Sequence, residues 1–198
     1  MKILVTGGAG FIGSNLVDAL IKLGHYVVVV DNLSSGLKKN VNPKARFYQI
    51  DICDKKLHEV FEREKPDIVD HHAAQIDVRK SGEDPIYDAE ANILGSLNLI
   101  TNCVRYGIKR IVYASTGGAI YGDPQYLPAD ENHPINPISQ YGVSKHTVEH
   151  YLHLYSIING LEYVALRYSN VYGPRQNPYG EAGVVAIFAI QMLTGKQL

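Results

Sequence analysis

Ile3-Leu4-Val5-Thr6-Gly7-Gly8-Ala9-Gly10-Phe11-Ile12-Gly13, closed eighteen residues later by Asp31, is the stretch that decides the fold. A short β-branched apolar run feeds a turn with glycines at GxxGxxG spacing, and a helical pattern begins directly behind it. Gly7 permits the tight turn, Gly10 lets the backbone approach a pyrophosphate, and Gly13 allows close helix-strand packing, with the helix N-terminal amides facing the anion. Asp31 ends the second apolar run, where a carboxylate accepts hydrogen bonds from both adenosine ribose hydroxyls and repels a 2′-phosphate. The pattern therefore favours NAD over NADP. Asp51, followed by Ile52, ends a third run within reach of an adenine ring, although a plain loop carboxylate explains Asp51 alone nearly as well.

Outward from the turn, apolar β-branched runs recur at 2–6, 26–30, 46–50, 67–71, 109–115 and 162–168. Helical patterns separate them at 11–23, 54–64, 85–106 and 137–158. This alternation predicts an α/β fold, a doubly wound Rossmann-type parallel sheet with helices on both faces. After a loop at 177–181, residues 182–193 read as a nearly all-apolar helix that needs a covering partner.

Composition narrows the function classes. The chain has 198 residues, 45% hydrophobic and 20% charged, which suits one soluble core, and no apolar run is long enough for a membrane span. A net charge of -1 offers no broad field for nucleic acid or anionic lipid, so phosphate recognition has to be local. Cys53 and Cys103 lie far apart without CxxC spacing, and glycines interrupt the N-terminal apolar run before it resembles a signal peptide. We therefore expect a cytoplasmic protein. His71 and His72, adjacent at a strand end, point to opposite faces, and no carboxylate or cysteine spacing completes a metal site around them.

Tyr141-Gly142-Val143-Ser144-Lys145 sets a phenol and an ammonium one helical turn apart on one face, so that the lysine favours the phenolate. With 14 tyrosines in the chain the spacing is ordinary, and its position supplies the meaning. It follows a strand ending in Ala114-Ser115-Thr116-Gly117-Gly118, whose hydroxyls face the carboxyl edge of the sheet, the usual ligand side.

These residues, with Asp31-Asn32-Leu33-Ser34-Ser35-Gly36, His72-Ala73-Ala74-Gln75, Tyr121-Gly122 and the run from Leu166 to Arg175, resemble the extended short-chain dehydrogenase/reductase family across the whole chain. The likeness is strongest to its NAD-dependent nucleotide-sugar epimerases. The resemblance implies an NAD site lined by Gly7, Gly10, Phe11, Ile12, Gly13, Asp31, Asn32, Ser35, Gly36, Asp51, Ile52, Ala73, Ala74, Asn92, Tyr141, Lys145 and Ser169. It implies Tyr141, Lys145 and Thr116 as catalytic residues, and Ser115, Thr116, Tyr141 and Asn170 as substrate contacts. The glycine pair after Thr116 makes the loop one residue longer than the commonest epimerase pattern, so Ser115 stands as an alternative to Thr116. Related dehydratases place Asp-Glu after the threonine, where this chain has two glycines.

The implied chemistry is epimerisation of a nucleotide sugar at C4, a UDP-hexose above all, through transient oxidation to a 4-keto sugar. A homodimer through the helices around Asn92 and Tyr151 is implied as well. The alternatives are an NAD-dependent dehydratase or reductase, or an NAD-binding module without efficient turnover. Proteins of this type continue well past this length. Residues 1–172 are accordingly expected to form the NAD-binding domain and 173–198 the start of a substrate-binding region, with the usual C-terminal substrate domain largely absent.

Overall fold

The computed structural model describes residues 1–179 and 183–197. The six apolar runs become one parallel sheet of β1 (Lys2–Thr6), β2 (Tyr26–Val30), β3 (Arg46–Tyr48), β4 (Ile68–His71), β5 (Arg110–Thr116) and β6 (Glu162–Tyr168). Their spatial order is β3-β2-β1-β4-β5-β6, so the chain builds outward from β1 on one side and then restarts on the other. In doubly wound sheets that reversal opens a ligand crevice at the carboxyl ends of the two central strands, here β1 and β4.

Strands covered on both faces must be apolar throughout. Leu4, Val28, Val69 and Ile111 pack against α2 (Leu57–Glu64), α5 (Gly95–Arg105) and α7 (Gln140–Asn159), through Leu57, Phe61, Leu99, Ile100, Val148 and Leu152. On the opposite face Ile3, Val5, Val27 and Val29 pack on Val17 of α1 (Phe11–Lys22). β6, at the sheet edge, instead alternates, and its Val164 and Leu166 are exposed. The remaining helices are α3 (Val78–Glu83), α4 (Pro85–Ala89), α6 (Gly117–Ile120) and α8 (Val184–Leu193).

Several boundaries differ from the sequence reading, for local reasons. β3 ends at Tyr48, and α2 starts at Leu57 because Asp54 closes a turn, accepting from Lys56 N through its side chain and from Leu57 N through its carbonyl. Helix α3 went unread: Asp77 caps it by accepting from Arg79 N and Lys80 N, and Asp84 caps α4. The unbroken helix expected over 85–106 is interrupted by a π turn at Glu90–Leu94, a wider coil that turns Asn92 inward. α7 begins at Gln140, where the Ser139 hydroxyl accepts from Gly142 N. Phe188, Met192 and other apolar residues of α8 are exposed, and none of its residues is buried. Ala182, Gly180 and Glu181, in the expected apolar helix and the loop before it, lie outside the described residues.

Candidate active site

The glycine turn is shaped by what cannot fit in it. A Cβ on Gly13 would stand 2.3 Å from the Gly7 carbonyl oxygen, and Gly7 itself has φ +70° with a Cβ position 2.7 Å from Ala73 N. The turn, the first turn of α1 and the loop after β4 therefore meet backbone to backbone. Gly10 is the N-cap of α1, and no side chain caps the helix. Its first-turn amides, Phe11 and Ile12 among them, have no partner within the helix and are the donors a pyrophosphate would use. The cradle fits a dinucleotide.

Around it lie the other candidate cofactor residues. Asp31 is buried, its Oδ2 accepting from Ala9 N at 2.9 Å and its Oδ1 from Leu33 N at 2.8 Å, which keeps a lone pair on each oxygen for ribose hydroxyls. Gly36 is buried against Ala9, and Ser35 beside it is exposed. Asn32 donates to Asp51 Oδ2 at 2.7 Å, while Cys53 N donates to Asp51 Oδ1. Burial pushes the Asp51 pKa up, but these hydrogen bonds outweigh it and hold the carboxyl below its usual range. Ile52 fills the space beside Gly95. Burial and the neighbouring Asp51 push the Cys53 thiol up to about 12, so it is a poor nucleophile.

Ala73 and Ala74 follow β4 on a loop pinned from beneath by His71. Its Nδ1 lies 2.8 Å from Thr6 Oγ1 and its Nε2 2.8 Å from Ser96 Oγ. Ser96 donates its proton to Asn92 O, and Thr6 Oγ1 accepts from Ala73 N. Nε2 must then be the donor and Nδ1 the acceptor, which defines one neutral tautomer. Burial, followed by the charge of Lys145, holds the His71 pKa well below its ordinary value. Asn92 is occupied internally: it donates to Gln75 O and Asp88 Oδ1, and accepts from Gln75 N. These bonds tie the π turn to the loop after β4.

At the far side of the crevice, α7 carries Tyr141 and Lys145. Its first turn packs so closely on α6 that a Cβ on Gly142 would stand 2.6 Å from Ala119 O, and Tyr141 N donates to Ser81 Oγ on α3. Lys145 Nζ donates to Ala114 O at 2.9 Å and lies 5.8 Å from the Tyr141 ring centroid. Burial pulls the Lys145 pKa down to about 8, against the attraction of Asp88. Thr116 Oγ1 accepts from Ala119 N at 3.2 Å as the cap of α6, so its own proton remains to be donated.

Ser115 points elsewhere. It donates to Glu149 Oε1 at 2.6 Å, and Glu149 also takes two hydrogen bonds from Arg167, which in turn donates to the Tyr121 hydroxyl. Burial works to raise the Glu149 pKa, but the Arg167 and Ser115 bonds leave it lowered. Strand alternation explains the division, since neighbours on β5 face opposite sides of the sheet. Ser169 and Asn170, just past β6, are exposed, and Asn170 Oδ1 comes within 3.9 Å of a Cβ position on Gly118. Tyr168 stacks on His72 with ring centroids 6.0 Å apart, joining this segment to the β4 loop.

Sequence reasoning missed Asp88, Ser144, Ser81 and the Glu149–Arg167 pair. A signal existed for the first: Asp88, Asn92 and Ser96 repeat every four residues, a polar stripe along one face of the helical stretch.

The chain matches the NAD dependent epimerase/dehydratase family over residues 3–198. A relative from Methanocaldococcus jannaschii is 56% identical over 191 residues, covering 96% of this chain and 63% of its own. The UDP-glucose 4-epimerase of Thermotoga maritima, solved with UDP-glucose, superposes with a TM-score of 0.97 at 50% identity, over 100% of this chain and 65% of that one. The Thermus thermophilus UDP-glucose 4-epimerase, solved with NAD, gives a TM-score of 0.95 at 50% identity, over 100% of this chain and 64% of that one. The chain thus spans a little under two thirds of the length of these relatives.

Proposed function

Because the chain belongs to the NAD dependent epimerase/dehydratase family, we propose that it is the NAD-binding part of a nucleotide-sugar 4-epimerase that interconverts UDP-glucose and UDP-galactose. The observation that most supports the reading is Tyr141 and Lys145 in the first turns of α7, with Lys145 Nζ bonded to Ala114 O near the end of β5, the strand that closes on Thr116. Thr116 ends β5 and the glycine turn follows β1, so both lie at the carboxyl edge of the parallel sheet.

In this reading residues 1–172 are the NAD-binding domain and 173–198 begin the substrate-binding region. The first-turn amides of α1, with Gly7, Gly10 and Gly13, hold the pyrophosphate. Asp31, Asn32, Ser35 and Gly36 hold the adenosine ribose, and Asp51 and Ile52 flank the adenine. Ala73, Ala74, Lys145 and Ser169 line the nicotinamide half, and Asn92 contributes by shaping the 73–75 loop. NAD held there would supply a reversible hydride acceptor for sugar C4, and inversion would require the 4-keto sugar to turn before the hydride returns to its opposite face. Tyr141 as phenolate takes the proton of the 4-hydroxyl and later gives it back. Lys145 lowers the cost of that phenolate through its charge. Thr116 donates to the sugar oxygen, and Asn170 and Ser115 lie at or beneath the sugar subsite.

The same reading makes the protein a cytoplasmic homodimer. Its two cysteines are free, which suits a reducing compartment, and exposed Leu94, Leu154, Ile157 and Ile158 provide apolar surface for a second copy. No helix among the described residues is long and apolar enough to cross a membrane.

Replacing Tyr141 with Phe should lower UDP-galactose conversion by about 100- to 10,000-fold, the usual worth of a general base, while NAD content measured by mass spectrometry stays the same. Full activity in that variant would overturn the assignment. Net NADH accumulation with substrate would indicate a dehydrogenase instead.

A further inference from the structure

Asp88 sits on α4 with no exposed surface, and a carboxylate removed from water needs compensation. Its donors come from three separate elements. Oδ1 accepts from Asn92 Nδ2 on the π turn at 2.9 Å and from Gln75 Nε2 on the β4 loop at 3.1 Å. Oδ2 accepts from Ser144 Oγ, the residue before Lys145 on α7, at 2.6 Å. These donors are neutral, so they solvate the charge without balancing it.

Lys145, the residue after Ser144 on α7, is itself buried, and the charge of Asp88 acts on it. The titratable groups around the two are His71 from β4, Tyr113 from β5, and Tyr141 and Glu149 from α7. Lys145 Nζ lies 4.9 Å from the Tyr113 ring. Burial keeps His71 neutral and pushes the Tyr113 phenol well up, so neither offers a negative charge. Glu149 is paired with Arg167. Asp88 is the carboxylate whose attraction opposes the desolvation of Lys145.

We propose that Asp88 is a positioning residue of the redox site: its buried carboxylate keeps Lys145 protonated, and its three hydrogen bonds hold the Gln75 loop, the Asn92 turn and helix α7 in one register. The proposal rests on the reading of Lys145 as the ammonium beside the Tyr141 base. It makes the charge at the catalytic helix depend on a residue that touches neither cofactor nor sugar.

The test is a titration of Lys145 by NMR of 13C-labelled lysine side chains, with the resonance assigned by its loss in Lys145→Met. The wild-type midpoint should fall near 8. Asp88→Asn should lower it by about one unit or more, while Ser144→Ala, which removes a donor but keeps the charge, should leave it in place or raise it slightly. Where turnover is measurable, the alkaline limb of its pH profile should move down with the Asp88→Asn midpoint. An unchanged midpoint in Asp88→Asn, or an equal drop in Ser144→Ala, would overturn the proposal and leave Asp88 a structural residue. If Asp88→Asn does not fold, the wild-type value decides: a midpoint below about 7 means that burial is uncompensated, and the proposal fails. The titration needs no turnover, so a chain that binds no NAD and epimerises nothing refutes the functional reading separately.

Discussion

The two sides of the crevice are built by opposite means. At the glycine turn the working groups are backbone amides, and the important side chains are the absent ones, since Gly7 and Gly13 bring three backbone segments into contact. At the head of α7 the candidate groups are side chains, beside a buried lattice of Asp88, Gln75, Asn92 and Ser144 drawn from α4, the β4 loop, the π turn and α7. A backbone site tolerates no added atom, whereas a side-chain site tolerates no lost partner. Substitutions at the two should therefore fail differently.

Gly13→Ala should produce the largest break. Its Cβ would meet the Gly7 carbonyl oxygen at 2.3 Å, and backbone cannot step aside there. NAD affinity should fall by about 100-fold or more, with a stability loss of about 1–3 kcal/mol, read by NAD titration and thermal melting. If alanine is accepted there with unchanged NAD binding, the turn is not the close-packed cradle described.

On the other side, Thr116→Val should lower kcat by about 100-fold with NAD content intact, the loss typical of one donor at a developing oxyanion. Ser115→Ala should instead show as a stability loss of about 1 kcal/mol with little effect on kcat, because it removes a hydrogen bond to Glu149. The reverse pattern in steady-state kinetics would transfer the hydroxyl role to Ser115.

The smallest effect concerns pH. Lys145 titrates near 8 in the fold against an ordinary 10.5, so between those values the unfolded chain binds the extra proton. Stability contributed by this group therefore rises with pH across that window, as the cost of burying a charged ammonium is relieved. Lys145→Met should remove that part of the slope in melting temperatures measured from pH 7 to 10.5. An identical slope in both proteins would mean that Lys145 is not buried charged.

Much of this architecture was legible in the linear pattern. The central strands were readable because strands buried on both faces are apolar without interruption, and β-branched runs such as Val27 to Val30 have few other uses. The Asp31 position followed from the register of strand, turn and helix. Less legible were features formed by long-range contact. The π turn at Glu90–Leu94 has no local signature, because the inward swing of Asn92 is fixed by bonds to Gln75, 17 residues away. The division between Ser115 and Thr116 depended on which face of β5 meets Glu149, 34 residues on.

The sequence by itself determined a parallel doubly wound sheet, a glycine turn followed by an acid at the end of β2, and a helix carrying tyrosine and lysine one turn apart, because periodicity, glycine sterics and helical spacing act over a few residues. Tertiary structure alone decided that Ser115 bonds Glu149 while Thr116 caps α6, that Asn92 bonds the Gln75 loop, and that Asp88 and Lys145 are both buried. Those outcomes are set by burial, which turns distant polar side chains into obligatory partners once water is excluded.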